Sequence, residues 1–79
     1  MKFEQIINGK KVAAIFETVK NVVVQHYEKP SGPAVMRFAV HFEDAAEADK
    51  MARVFGGTIG YMGRMVVIKG PISIKVKPF

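Results

Sequence analysis

Along residues 11–29, KVAAIFETVKNVVVQHYEK, seven large apolar side chains recur in a regular pattern: Val12, Ile15, Phe16, Val19, Val22, Val23 and Tyr27. Their i, i+3, i+4, i+7 spacing is that of an amphipathic helix. At 100° per residue they fall, with His26, in an arc of roughly 140° that holds no charge. Lys11, Glu17, Lys20, Asn21, Gln25, Glu28 and Lys29 lie outside that arc. Alternation fails around AAIFET. The Val22–Val24 run leans toward a strand, but helical periodicity holds across the whole segment. The pattern therefore predicts a helix over about 10–28, stopped by Pro30. Asn8-Gly9 just before it has two readings: a helix N-cap, or a tight hairpin turn if strands flank it. KFEQII, ahead of that pair, predicts a brief strand.

Beyond the turn-rich KPSGP, the stretch AVMRFAVHF alternates. Ala34, Met36, Phe38, Val40 and Phe42 share one face; Val35, Arg37, Ala39 and His41 share the other. This predicts a strand with one buried face. EDAAEADKMARVFGG predicts a second helix. Asp44 and Glu47 resemble a capping box, Lys50 and Arg53 suit the C-terminal end of the dipole, and Ala48, Met51, Ala52 and Phe55 form the core stripe. Gly56 or Gly57 ends it. Three short strands follow, at about 58–62, 64–69 and 72–77, with turns at Met62-Gly63 and Gly70-Pro71. In ISIKVK, Ile72, Ile74 and Val76 face inward. Ser73, Lys75 and Lys77 face out, as on a protected edge strand. The expected fold is a single α+β domain over residues 1–79, (β)αβαβββ. Its antiparallel sheet has four or five strands, with two helices packed on one face.

Composition places the chain among globular proteins: 49 % of its 79 residues are hydrophobic. It has no cysteine, which excludes disulfides and thiolate metal sites. No run of about 18 apolar residues marks a membrane span, and MKFEQIINGKK lacks the apolar stretch of a signal peptide. A cytoplasmic location is expected, that of the host if the chain is phage-encoded. The net charge is +5, unevenly spread. Residues 1–49 hold six basic and seven acidic side chains; residues 50–79 hold six basic and no acidic ones. A one-sign surface of that kind attracts polyanions or acidic protein faces.

The glycines of FGGTIGYMGRMVV follow a predicted helix C-terminus, the wrong end for a phosphate cradle, and no G-K-[S/T] follows them. GTIG and GYMG match the KH loop string, but that loop joins two helices. Turn chemistry accounts for them, leaving Tyr61 and Arg64 at a hairpin tip. NGKK offers a secondary anion site, Asn8, Lys10 and Lys11, if a helix begins there. His26 falls in the apolar arc and His41 on an outer strand face. Neither has the companions that a metal site requires. Ser31 and Ser73 lack a neighbouring base and orienting group. No catalytic set, metal or cofactor is expected.

The candidate binding residues are Arg37, His41, Tyr61, Arg64, Lys69, Lys75 and Lys77: Arg37, His41, Lys75 and Lys77, with Arg64 or Lys69 depending on pleat register, on one open basic sheet face, and Tyr61 with Arg64 at the hairpin tip. Exposed aromatics for base stacking are scarce, Tyr61 alone being available. The expected function is therefore a small non-catalytic interaction protein, an inhibitor or adaptor that binds a larger protein or nucleoprotein complex. The alternative is a sequence-nonspecific nucleic-acid-binding module acting by phosphate neutralisation. In kind, the chain looks like the small phage-encoded proteins that block host defence complexes, including anti-CRISPR proteins. That likeness lies in size, α/β build and the lack of a catalytic set, not in a shared motif. No membrane partner is expected. An edge strand, or an apolar sheet face formed by Val35, Ala39, His41 and one face of MVVI, offers a surface for a homodimer.

Overall fold

The structure, a computed structural model, describes residues 1–27, 35–60, 62–70 and 74–78. Among these run β1 (Lys2–Ile7), β2 (Lys10–Ile15), β3 (Val19–Tyr27), β4 (Val35–Phe42), α1 (Ala45–Phe55), β5 (Thr58–Gly60), β6 (Met65–Gly70) and β7 (Lys75–Lys77). All pairings are antiparallel. One sheet has the order β2-β1-β7, the other β3-β4-β6-β5. KPSGP, Tyr61, the 71–73 segment with Ile72 and Ser73, and Ser31 lie outside the described residues.

The helix expected over 10–28 is instead two strands, β2 and β3. The deciding element is Asn8-Gly9. Both residues have positive φ, 51° and 78°, and Ile7 pairs with Lys10 across them. Two consecutive left-handed residues make the hairpin turn whose twist matches that of its strands. The hairpin then takes up LysLysValAlaAlaIle as a strand. Val12, Ala14 and Phe16 turn inward, while Lys11, Ala13 and Ile15 are exposed. A corner at residues 16–18 resets the phase before β3 begins. The apparent helical arc was the sum of two strands out of register with each other, and the valine-rich stretch followed its β propensity. The chain therefore has one described helix rather than two, and two sheets rather than one.

The helix over 45–55 forms as the spacing predicts. Asp44 is its N-cap and accepts a hydrogen bond from the Ala46 N–H at 2.9 Å. The return arm of the capping box is absent. Glu47 reaches instead to the β2–β3 corner. There it accepts from the Thr18 N–H (2.7 Å), the Thr18 hydroxyl (2.6 Å) and the Glu17 N–H (3.0 Å). Thr18 Oγ1 takes the Asp44 N–H that a capping box would have used, at 3.3 Å. Burial raises the Glu47 pKa, but the Thr18 hydroxyl and the two backbone N–H groups outweigh it and hold the carboxyl below its ordinary value. One carboxylate thus ties the helix start to the corner between the sheets.

The core lies between the inner sheet faces and α1: Phe3, Phe16, Phe38, Val40, Phe42, Ala48, Met51, Phe55, Val66 and Ile68. Phe3 joins the sheets. Its ring meets Phe16 at 5.7 Å and Phe38 at 6.1 Å, and Phe16 meets Phe42 at 5.4 Å, all edge-to-face. Gly56 is the left-handed C-cap of α1. Gly57 is needed for a different reason: a Cβ there would stand 2.5 Å from Val66 Cγ1, so only glycine lets the chain pass this close to β6.

Candidate functional site

Directly opposed residues on antiparallel strands share a face, so the register decides which basic side chains meet. On β1, Lys2, Glu4 and Ile6 point away from the core. Their neighbours are Ile15, Ala13 and Lys11 on β2, and Lys77 and Lys75 on β7. Three ammonium groups close on the Glu4 carboxylate: Lys2 at 3.2 Å, Lys77 at 3.3 Å and Lys11 at 3.4 Å. Glu4 is only 5 % exposed, although it sits on the outer face, because these side chains cover it. Hydrogen bonds from Lys2 and Lys77, with the nearby charge of Lys11, draw its pKa down to about 2 against the opposing effect of burial. Lys75 lies across from Glu4 and lines the same hollow of about 440 Å³ with Glu4, Ile6, Lys11 and Lys77. Ile6 and Ile15 stand at the two ends of this face, 64 % and 52 % exposed.

The outer face of the four-stranded sheet is different. Its rows run Gln25–Arg37–Lys69, Val23–Ala39–Val67–Thr58 and Asn21–His41–Met65–Gly60. Arg37 and Lys69 are cross-strand neighbours, and Arg37 Nη1 donates to Gln25 Oε1 at 3.3 Å. Neither makes an ion pair among the described residues. They flank a groove of about 410 Å³ whose other walls are Gly56, Thr58, Ile59, Gly60 and Val67. Ala39, between Val23 and Val67, is buried even though it faces outward.

The single basic face expected from the sequence is therefore divided. Lys75 and Lys77 stand on the three-stranded sheet; Arg37, His41 and Lys69 stand on the four-stranded one. A one-sheet layout would have brought them together, and the β2–β3 misreading produced that layout. Arg64 is exposed just after the Met62-Gly63 turn, where φ is 61° and 75°, and its carbonyl accepts the Phe42 N–H at 2.8 Å. Tyr61, its expected companion, lies outside the described residues. The NGKK anion site is not formed as proposed, since no helix starts there. Asn8 is in the turn, Lys10 and Lys11 point to opposite faces, and only Lys11 joins the lysine cluster.

Nor is the acid-free C-terminal segment free of acidic partners. Lys77 meets Glu4, Arg53 meets Asp49 at 2.8 Å, and Lys50 lies over the Phe16 ring at 5.5 Å. Glu4 and Lys2 were missed by sequence reasoning. The available signal was the polar residue alternating with Phe3 in KFEQII, which marks a two-faced strand. Its pairing with β7 is long-range and leaves no local trace.

No protein-family model, curated protein or solved structure matches the chain. Among the described residues no helix is long and apolar enough to cross a membrane.

Proposed function

We propose that this chain is a small non-catalytic interaction protein, an inhibitor or adaptor of the kind represented by phage-encoded anti-defence proteins. It docks on an acidic surface of a larger protein or nucleoprotein complex. The contact surface is the outer face of the three-stranded sheet. One observation carries the reading: three lysines close on a single carboxylate, a fourth, Lys75, lines the same hollow, and two exposed isoleucines bracket the group. Glu4 restrains Lys2, Lys11 and Lys77, so less side-chain entropy is lost when they meet acidic partners. The surplus positive charge steers encounter and selects the partner. Ile6 and Ile15 supply apolar area that an interface buries and a phosphate backbone does not use.

The nucleic-acid reading rests on the lysines alone, and the isoleucines separate the two. Affinity capture from host lysate would be run with wild type, Lys11→Gln/Lys75→Gln and Ile6→Thr/Ile15→Thr, each with and without nuclease. Both variants are expected to lose a nuclease-resistant partner. If capture disappears with nuclease, and Ile6→Thr/Ile15→Thr binds oligonucleotide as well as wild type at about 50 mM salt, the phosphate reading replaces this one.

A further inference from the structure

The described sheets leave four edge strands: β2 and β7 in one, β3 and β5 in the other. An open edge is a template for another strand, and proteins blunt it with shortness, lysine or proline. Three of these edges are blunted. β5 has three residues; β7 has three, with Lys75, Lys77 and then Pro78; β2 begins Lys10-Lys11. β3 is not. It has nine residues, VKNVVVQHY, with no proline and one lysine near its start. Val24 shares the inner face with Phe38, yet it is 46 % exposed. The core layer stops short of this edge.

We infer that β3 pairs antiparallel with β3 of a second copy of this chain, joining two four-stranded sheets into one of eight strands. A two-fold axis normal to the sheet sets one residue opposite its own copy. Full overlap of Val19–Tyr27 requires that residue to be the midpoint, Val23. The register then matches like with like: Val22 faces Val24 of the second copy, and Asn21 faces Gln25. The β3–β4 irregularity lies between Val19 and Asn21, outside this central stretch. Val24 gains the Val22 of the other copy as a cross-strand neighbour, which continues the core layer across the axis. An extended peptide from another protein satisfies the same backbone groups but gives no reason for a self-matching sequence. The lysine face belongs to the other sheet, so this inference and the docking reading fail independently.

The chain has no cysteine, so a single introduced thiol reports the register. Val23→Cys places two thiols on directly opposed residues, about 4.5–5.5 Å apart at Cα, within disulfide reach. Asn21→Cys on the same face sets them about 13 Å apart along the strand. Oxidation of Val23→Cys is expected to give a covalent dimer and that of Asn21→Cys a monomer. Equal cross-linking of the two, or none at Val23, overturns the register. Sedimentation equilibrium of the wild type is expected to show a dimer. Val24→Lys, at an already exposed position, is expected to weaken it at least tenfold while leaving the circular dichroism spectrum unchanged. A wild type that stays monomeric at all concentrations, or a dimer indifferent to Val24→Lys, overturns the inference.

Discussion

The two sheets contribute rings to one aromatic core but treat charge on their outer faces differently. On the three-stranded sheet a carboxylate sits among lysines, and its pKa falls to about 2 because they close on it. On the four-stranded sheet Arg37 and Lys69 face the same way on adjacent strands with no carboxylate beside them among the described residues. A cluster organised around an opposite charge contributes to folding. A like-charged pair adds local potential at a small cost in stability. The two outer faces thus carry positive charge of different character.

The most damaging substitution removes the link between the sheets. Phe3→Ala deletes a fully buried ring that touches both Phe16 and Phe38. The expected cost is about 3–5 kcal/mol, comparable to the whole stability of a domain this small. Urea denaturation should find the variant largely unfolded at 25 °C, with both outer faces lost together.

Gly57→Ala acts on the four-stranded side alone. The added methyl must displace Val66 and Ile68 of β6, at a cost of about 1–3 kcal/mol. Hydrogen exchange should show earlier opening of β5 and β6, while the β1–β2 amides keep more of their protection.

The helix over Ala45–Phe55 was legible in the sequence because each of its signals is local. Asp44 caps it, the Ala48–Met51–Phe55 stripe faces the core, and Gly56 ends it. The alternation of β4 was legible for the same reason, as were the exposed lysines of β7 and the presence of three late strands, but β5 ends at Gly60 rather than at 62, and β7 pairs with β1 in the other sheet instead of extending the sheet of β5 and β6. Residues 10–27 were not. Two strands joined by a corner can imitate a helical arc, and Ile15 belongs to that arc yet is exposed. What distinguishes them is the positive φ at Asn8 and Gly9, which Asn-Gly signals only when strands flank it. The lysine cluster was half legible: Lys75 and Lys77 read as outward, but the β1–β7 register that gives them Glu4 is nonlocal.

Acid should separate the faces. Glu4 and Glu47 both have folded-state pKa values below the ordinary 4.5. As pH falls, the unfolded chain binds protons first, so their contribution is complete above about 4.5 and declines below it, that of Glu4 being lost as pH drops toward about 2. Thermal melts from pH 7 to pH 2 should show Tm falling through that window. Glu4→Gln should lower Tm at neutral pH and flatten the acid limb, leaving the part due to Glu47. Added salt should restore some of its Tm by screening the three lysines left facing one another.

The smallest expected effect is also the sharpest contrast. Lys69→Gln removes one member of a like-charged pair on adjacent strands, and such pairs are destabilising. Stability should rise by about 0.2–1 kcal/mol at low salt, and the gain should fade as salt screens the wild-type repulsion. Lys77→Gln, the same chemical change on the other sheet, removes a cation that binds Glu4 at 3.3 Å. Its sign should be opposite: Tm falls, and the Glu4 carboxyl titrates at a higher pH by NMR. A stabilising Lys77→Gln, or a destabilising Lys69→Gln, means that the two faces do not differ in the way their registers imply.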